Sequence, residues 1–339
     1  MLPTFVDALS ISARSLLERD GILSSPLYWT ILANGDADFH DNVIFFGFHA
    51  EKTDPVLVAK VPRLVENGWM LKTEYDHLVE LWSCIGESAA QYVPKPYALT
   101  TLQERPVLMI SYVSGESLTR LSRRSFWGNP EQVAALAGEA ARSLRALNGL
   151  TESPIQVHES IHSDFQKKAD KFRELFQLTP EEDRALVDLI ATVDGMAVTA
   201  THKVLIQGDF WHGNMIRDEA RGKLLFVDWQ FARWSVDVSM DVYFFLLAGA
   251  LSATENGSVE QRAMEAFQLL MSWRANVIPE YLSAYGKPER YVLLPQREGM
   301  LMCCVEKAVR SALEFGYSHS DDRLWRSLFA ELLRWQATE

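Results

Sequence analysis

Gln207-Gly208-Asp209-Phe210-Trp211-His212-Gly213-Asn214, followed by Lys223-Leu224-Leu225-Phe226-Val227 and then Asp228-Trp229-Gln230, is the stretch whose reading decides the fold. Residues 223–227 have the short apolar run of a buried strand, which puts Asp228 at a strand end. Asp209 and Asn214 sit on one loop, five positions apart. Phosphoryl transfer asks a protein for little covalent chemistry. It needs a carboxylate beside the acceptor hydroxyl and oxygen ligands that hold magnesium against the phosphates. Asp209 fits the first need, and Asn214 and Asp228 fit the second.

Upstream, residues 27–32, 43–49 and 56–61 read as three strands of an antiparallel meander, separated by Asn34-Gly35-Asp36 and Lys52-Thr53-Asp54-Pro55. A helix over residues 5–20, stopped by Gly21, precedes them. Val58-Ala59-Lys60 lies in the third strand, where alternation turns Lys60 to the side of Val56 and Val58. Residues 69–86 carry a helical stripe of Leu71, Leu78, Leu81 and Ile85, and the residue that completes its spacing is Glu74, a carboxylate on the buried face. Glu80, the rival partner for Lys60, falls with Thr73, His77 and Cys84 on a more polar face. Two further strands, 97–102 and 107–113, flank the turn at residues 103–106.

From Pro130 the pattern becomes helical, over residues 133–147, 158–178 and 180–193. A β-like island at 204–207 and 224–227 interrupts it. Helices resume at Val242, with Pro279 and Pro295 as breaks or kinks. The expected class is therefore α+β in two lobes: residues 1–113, an antiparallel sheet with an N-terminal helix, and residues 114–339, larger and mostly helical.

This order of residues resembles the aminoglycoside phosphotransferase and choline kinase superfamily, relatives of the protein kinases, whose catalytic loop reads H-G-D-x-x-x-x-N before a strand and an aspartate. The resemblance implies a two-lobed protein-kinase-like fold with nucleotide and magnesium in the cleft between the lobes. It implies that Asp209 is the catalytic base, that Asn214 and Asp228 are magnesium ligands, and that Lys60, steadied by Glu74, binds the phosphates of ATP or GTP. Gly35 falls in the phosphate-covering loop, and Ser111 and Val113 at the hinge whose backbone meets the base. The implied acceptor is a hydroxyl of a small molecule: an amino sugar, an amino alcohol, a sugar or an antibiotic. Gln207 departs from the family histidine, although its amide can still donate and accept hydrogen bonds. That departure, with the aspartate-rich loop over residues 34–41, motivates one alternative, a catalytically silent nucleotide-binding regulator. A protein kinase is disfavoured by the lack of an Asp-Phe-Gly and Ala-Pro-Glu pair after Asp228.

Composition narrows the partners. The formal net charge of −12, from 33 basic against 45 acidic side chains, gives no electrostatic footprint for nucleic acid, so nucleic acid is not expected. An acidic surface tilts the expected acceptor toward a cation. Cys84, Cys303 and Cys304 offer neither a disulfide framework nor zinc spacing. The apolar run over residues 242–250 is too short to span a bilayer and reads as a buried core helix. With no leader pattern at the N-terminus, the expected location is the cytoplasm, without membrane partners. Oligomeric state is not legible.

Three neighbours of the loop invite sharper readings. His212 is taken to shape the loop rather than to carry protons. With ten tryptophans in the chain, Trp211, Trp229 and Trp234 are assigned to packing before sugar stacking. Asp241, ahead of an apolar helix, is read as a cap and as support for the catalytic segment.

Overall fold

A computed structural model of the chain describes residues 4–19, 21, 26–32, 42–50, 52–121, 124–155, 165–218, 221–254, 256–314 and 320–335. In chain order they form α1 Phe5–Arg19, β1 Leu27–Leu32, β2 Asn42–His49, β3 Pro55–Pro62, α2 Gly68–Ile85, β4 Pro96–Leu102, β5 Arg105–Ser111, β6 Glu116–Ser117, α3 Arg124–Trp127, α4 Pro130–Thr151 and β7 Ser153–Pro154. There follow α5 Phe165–Leu175, α6 Pro180–Ala197, β8 His202–Ile206, β9 Met215–Asp218, β10 Lys223–Phe226, β11 Arg233–Ser235, α7 Ser239–Ser252, α8 Val259–Trp273, α9 Val277–Tyr285, α10 Gln296–Glu314 and α11 Ser320–Leu332. They divide into two compact units, Met1–Glu116 with Ile216–Ala232, and Ser117–Met215 with Arg233–Glu339. After the Asp209 loop the chain returns to the first unit and carries Asp228 there.

In the first unit, five antiparallel strands lie in the order β1-β2-β3-β5-β4. The central strand β3 is buried along residues 57–62, as expected for a strand covered on both faces. Leu9, Ala13 and Leu17, spaced by four on α1, close one face against Phe45, Leu57, Ala59, Val61, Val107 and Met109. The alternation that turns Leu57, Ala59 and Val61 toward α1 turns Val58 and Lys60 the other way, to α2. The β4–β5 hairpin is closed by Gln103 and Glu104, both at positive φ, with Leu102 paired to Arg105. Two positive-φ residues at this position match the right-handed twist of the strands they join.

The second unit is mostly helical, and its core helix is α7, buried at every residue from Ser239 to Leu251. An apolar helix of 14 residues with no polar face belongs inside a bundle. Among the described residues no helix is long and apolar enough to cross a membrane. Capping boxes at Thr179/Glu182 and Ser258/Gln261 start α6 and α8, satisfying their first backbone N–H groups.

The two island strands find separate partners: β8 lies between β7 and β11, whereas β10 lies beside β9. Their partners are only two to four residues long, too short to show alternation in the sequence. Pro279 does not break a helix but lies in the first turn of α9, where a missing backbone N–H leaves no intrahelical bond unmade. Pro295 immediately precedes α10.

Candidate active site

In the first unit the geometry centres on Lys60. Its Nζ donates to both carboxylate oxygens of Glu74, at 2.8 and 2.9 Å, and to Oδ1 of Asp228. Lys60 and Glu74 are buried, while the Asp228 side chain is 41% exposed. Burial alone would pull the Lys60 ammonium below its ordinary value, but Asp228 and Glu74 outweigh it and hold it above. Burial pushes the Glu74 carboxyl up, against the pull of Lys60. Removing one partner from such a pair leaves an uncompensated buried charge, which typically costs roughly 3–5 kcal/mol.

Asp228 has φ 60, a left-handed conformation that non-glycine residues seldom adopt outside turns and functional sites. The segment is held there by α2. The Trp229 backbone N–H donates to Glu74, and His77 Nδ1 donates to the Trp229 carbonyl at 3.0 Å. Since a carbonyl only accepts, this bond places a proton on Nδ1 of His77. In the sequence His77 shows only as a residue of the more polar face of α2. Trp229 itself is core, its Nε1 donating to the Phe226 carbonyl.

In the second unit, β8 ends at Ile206 and delivers three consecutive amides to side-chain acceptors. The Gln207 and Gly208 N–H groups donate to the two oxygens of Asp241, each at 2.7 Å, and the Asp209 N–H donates to Oε1 of Gln207 at 3.0 Å. Gly208 makes the turn possible at φ 76. Asp241 therefore braces the loop, as expected, but it does not cap α7, whose N-cap Val238 makes no side-chain cap bond. Burial raises its carboxyl to about 6, against the two amide bonds.

Beyond the turn, Asn214 Nδ2 donates to both the carbonyl oxygen and Oδ2 of Asp209, each at 3.0 Å. With the nitrogen end of the amide committed to Asp209, Oδ1 is left as its acceptor end. Gly213 lies under the Trp211 ring, and a Cβ there would come within 2.4 Å of it. His212 is fully buried between Trp127 and Trp211, with ring centroids at 4.8 and 4.9 Å. Burial lowers it to about 4, so it is neutral near pH 7 and shapes the loop.

Two residues of α10 complete this half, and no motif announced them. Lys307 Nζ stands 2.6 Å from Asp209 Oδ1, and Arg310 donates to the Gly208 carbonyl at 2.9 Å with its guanidinium 3.6 Å from Asp209. Burial pushes the Asp209 carboxyl up, but Lys307 and Arg310 together hold it below the usual carboxylate value. The one available sequence signal was a pair of cations three apart on an otherwise buried helix. Asp209, Trp211 and Lys307 line a cavity of about 330 Å³ within this unit.

The expected site residues thus gather in two groups: Lys60, Glu74 and Asp228 in the first unit, and Asp209 and Asn214 in the second. Ser111 ends β5, tied to Lys95 by its amide N–H and by its Oγ, both at 2.8 Å, and Val113 follows that strand. Gly35 lies outside the described residues. Among the described residues no three His, Cys, Asp or Glu gather as a metal cage.

A model of the phosphotransferase enzyme family matches residues 78–289, a stretch that includes Asp209, Asn214 and Asp228. No curated protein matches the chain. Among solved structures, an ethanolamine kinase of Plasmodium vivax is similar at 12% identity and TM-score 0.53, covering 95% of this chain and 88% of its own. A thermostable mutant of an aminoglycoside phosphotransferase, in ternary complex with ADP and hygromycin B, is similar at 13% identity and TM-score 0.54, covering 96% and 100%. A glucosamine kinase in complex with glucosamine, ADP and inorganic phosphate is similar at 15% identity and TM-score 0.53, covering 95% and 82%. At such identities the likeness shows a shared kinase-like fold. The family model spans more than half of the sequence, and on that match the chain belongs to the phosphotransferase enzyme family.

Proposed function

We propose that this enzyme transfers the terminal phosphoryl group of ATP or GTP to a hydroxyl of a small molecule. The observation that supports this most is the grip of Lys60 on Glu74 and Asp228. A buried lysine with two carboxylates is a poor device for stability alone. It is a good one for presenting an ammonium and a carboxylate to phosphates and their metal.

In this reading Lys60, oriented by Glu74, would bind the non-transferred phosphates, and Asn214 and Asp228 would hold magnesium. Magnesium held there would supply neutralisation of the charge that builds on the transferred group. Asp209 accepts the acceptor's hydroxyl proton as the new oxygen–phosphorus bond forms. The bond from the terminal phosphorus to its bridging oxygen breaks, and the nucleoside diphosphate leaves with that electron pair. The hold of Gln207 on the Asp209 amide supports an active enzyme over a silent one, because the amide side chain positions the catalytic backbone.

The test is magnesium-dependent nucleotide consumption against a panel of alcohols, wild type beside Asp209→Asn. Acceptor-stimulated turnover should drop by about 10²- to 10⁴-fold in the variant, the usual worth of a positioned general base, with nucleotide affinity nearly unchanged. A fully active Asp209→Asn enzyme would sink the assignment.

A further inference from the structure

The cavity that contains Asp209 is built from one face of α7 (Phe244, Ala248, Leu251), from Leu324 and Trp325 of α11, and from Lys307 of α10. Phe244 and Trp325 pack ring to ring at 5.6 Å. Its floor is therefore apolar and aromatic. Its charges are Asp209, Lys307 and Arg262, whose Nε is fixed on the Thr254 carbonyl at 2.6 Å.

Among the described lining residues two cations face one carboxylate, and that carboxylate is already ion-paired with Lys307 and flanked by Arg310. The Phe244 face, which would otherwise attract a cationic group, already carries the Lys307 ammonium 4.2 Å from its centroid. A cationic ligand would enter with no described carboxylate to receive it and with like charges nearby. The net charge of −12 is therefore no guide to these walls: net charge describes the whole surface, and the cavity sees only its lining.

We propose that the acceptor is a hydroxyl compound with an apolar, ring-sized body and no cationic group, neutral or anionic, with any anion directed to Arg262. This rests on the phosphotransferase reading of the same site and narrows its substrate class. A volume of about 330 Å³ lies at the small end of ligand cavities, which suits one ring with short substituents better than an oligosaccharide.

Three probes test it on the wild-type protein: benzyl alcohol, para-hydroxymethyl benzoate and para-hydroxymethyl benzylamine, which share one ring and one hydroxyl and differ in charge. Kanamycin serves as the polycationic comparator. Binding is read by quenching of tryptophan fluorescence, since Trp211 and Trp325 line the cavity. The alcohol and the benzoate should bind at least about tenfold tighter than the amine, the scale of one unfavourable charge contact at short range, and Arg262→Ala should remove any advantage of the benzoate over the alcohol. Equal or tighter binding of the amine or kanamycin overturns the proposal, as does failure of all three ring alcohols to bind at millimolar concentration. Failure of the phosphotransferase reading looks different: nucleotide consumption that Asp209→Asn leaves intact, whichever probe binds.

Discussion

Lys307 Nζ lies 2.6 Å from Asp209 Oδ1, an ion pair made across 98 positions of sequence. It ties α10 to the loop that carries the proposed base, and it accounts, with Arg310, for a carboxyl held below its ordinary value. A base of depressed pKa stays ionised at lower pH, so the enzyme should keep activity into mildly acid solution.

Replacing Lys307 by Met removes the charge and keeps most of the stem. Asp209 then loses its nearest cation, its pKa rises, and activity is lost at higher pH as the carboxylate protonates. The acid limb of the kcat/KM profile should move to higher pH, as follows from losing an opposite charge at contact distance. An unmoved limb would mean that Asp209 is not the titrating group.

Gln207 is a second point of leverage, because its Oε1 takes the Asp209 amide N–H at 3.0 Å. Gln207→Leu removes that acceptor from a buried loop and should lower kcat about tenfold, consistent with roughly 1–2 kcal/mol for one lost hydrogen bond, with KM for nucleotide unchanged. Gln207→His should retain most activity. Steady-state kinetics on the pair separates loop support from simple damage, since a merely misfolded protein would lose active fraction in both.

The bond from His77 to the Trp229 carbonyl spans 152 positions and braces the peptide beside Asp228. His77→Ala should raise KM for nucleotide several-fold, the order of one neutral hydrogen bond. His77→Asn, whose Nδ2 can donate from nearly the same place, should restore much of it. Nucleotide titrations at fixed magnesium check both.

Glu306 of α10 joins Lys168 of α5 and Arg233 of β11, at 2.7 and 2.8 Å. Burial would raise its carboxyl, but Arg233 and Lys168 bring it down to about 2 from an ordinary 4.5. A depressed carboxyl adds stability that is present above the ordinary value and lost as pH falls toward the folded one. Glu306→Gln should therefore cost roughly 3 kcal/mol at pH 7. The difference from wild type should shrink as pH drops from 4.5 toward 2. Urea unfolding at several pH values measures it.

The legible part of this protein was short-range. The amphipathic stripes of α1 and α2, the run of β3 and the spacing of Asp209 to Asn214 are periodicities within one element or loop, and such patterns are written in adjacent residues. Helical spacing put Glu74 rather than Glu80 on the buried face, and in the structure Glu74 takes two bonds from Lys60. Gln207 was legible as a substitute only because its amide has the same two hydrogen-bonding functions as the histidine it replaces.

By itself, then, the sequence determined an antiparallel-sheet part and a mostly helical part, and singled out Lys60, Glu74, Asp209, Asn214 and Asp228 as candidates, because secondary-structure period and loop spacing are local. Tertiary structure alone decided that β8 and β10 join different sheets, that His77 fastens the Asp228 segment, that Lys307 and Arg310 grip Asp209, and that the cavity wall is apolar and cationic in a chain of net negative charge. Each of these depends on which distant segments fold against one another, and hydrophobic burial selects those contacts without regard to their separation along the chain.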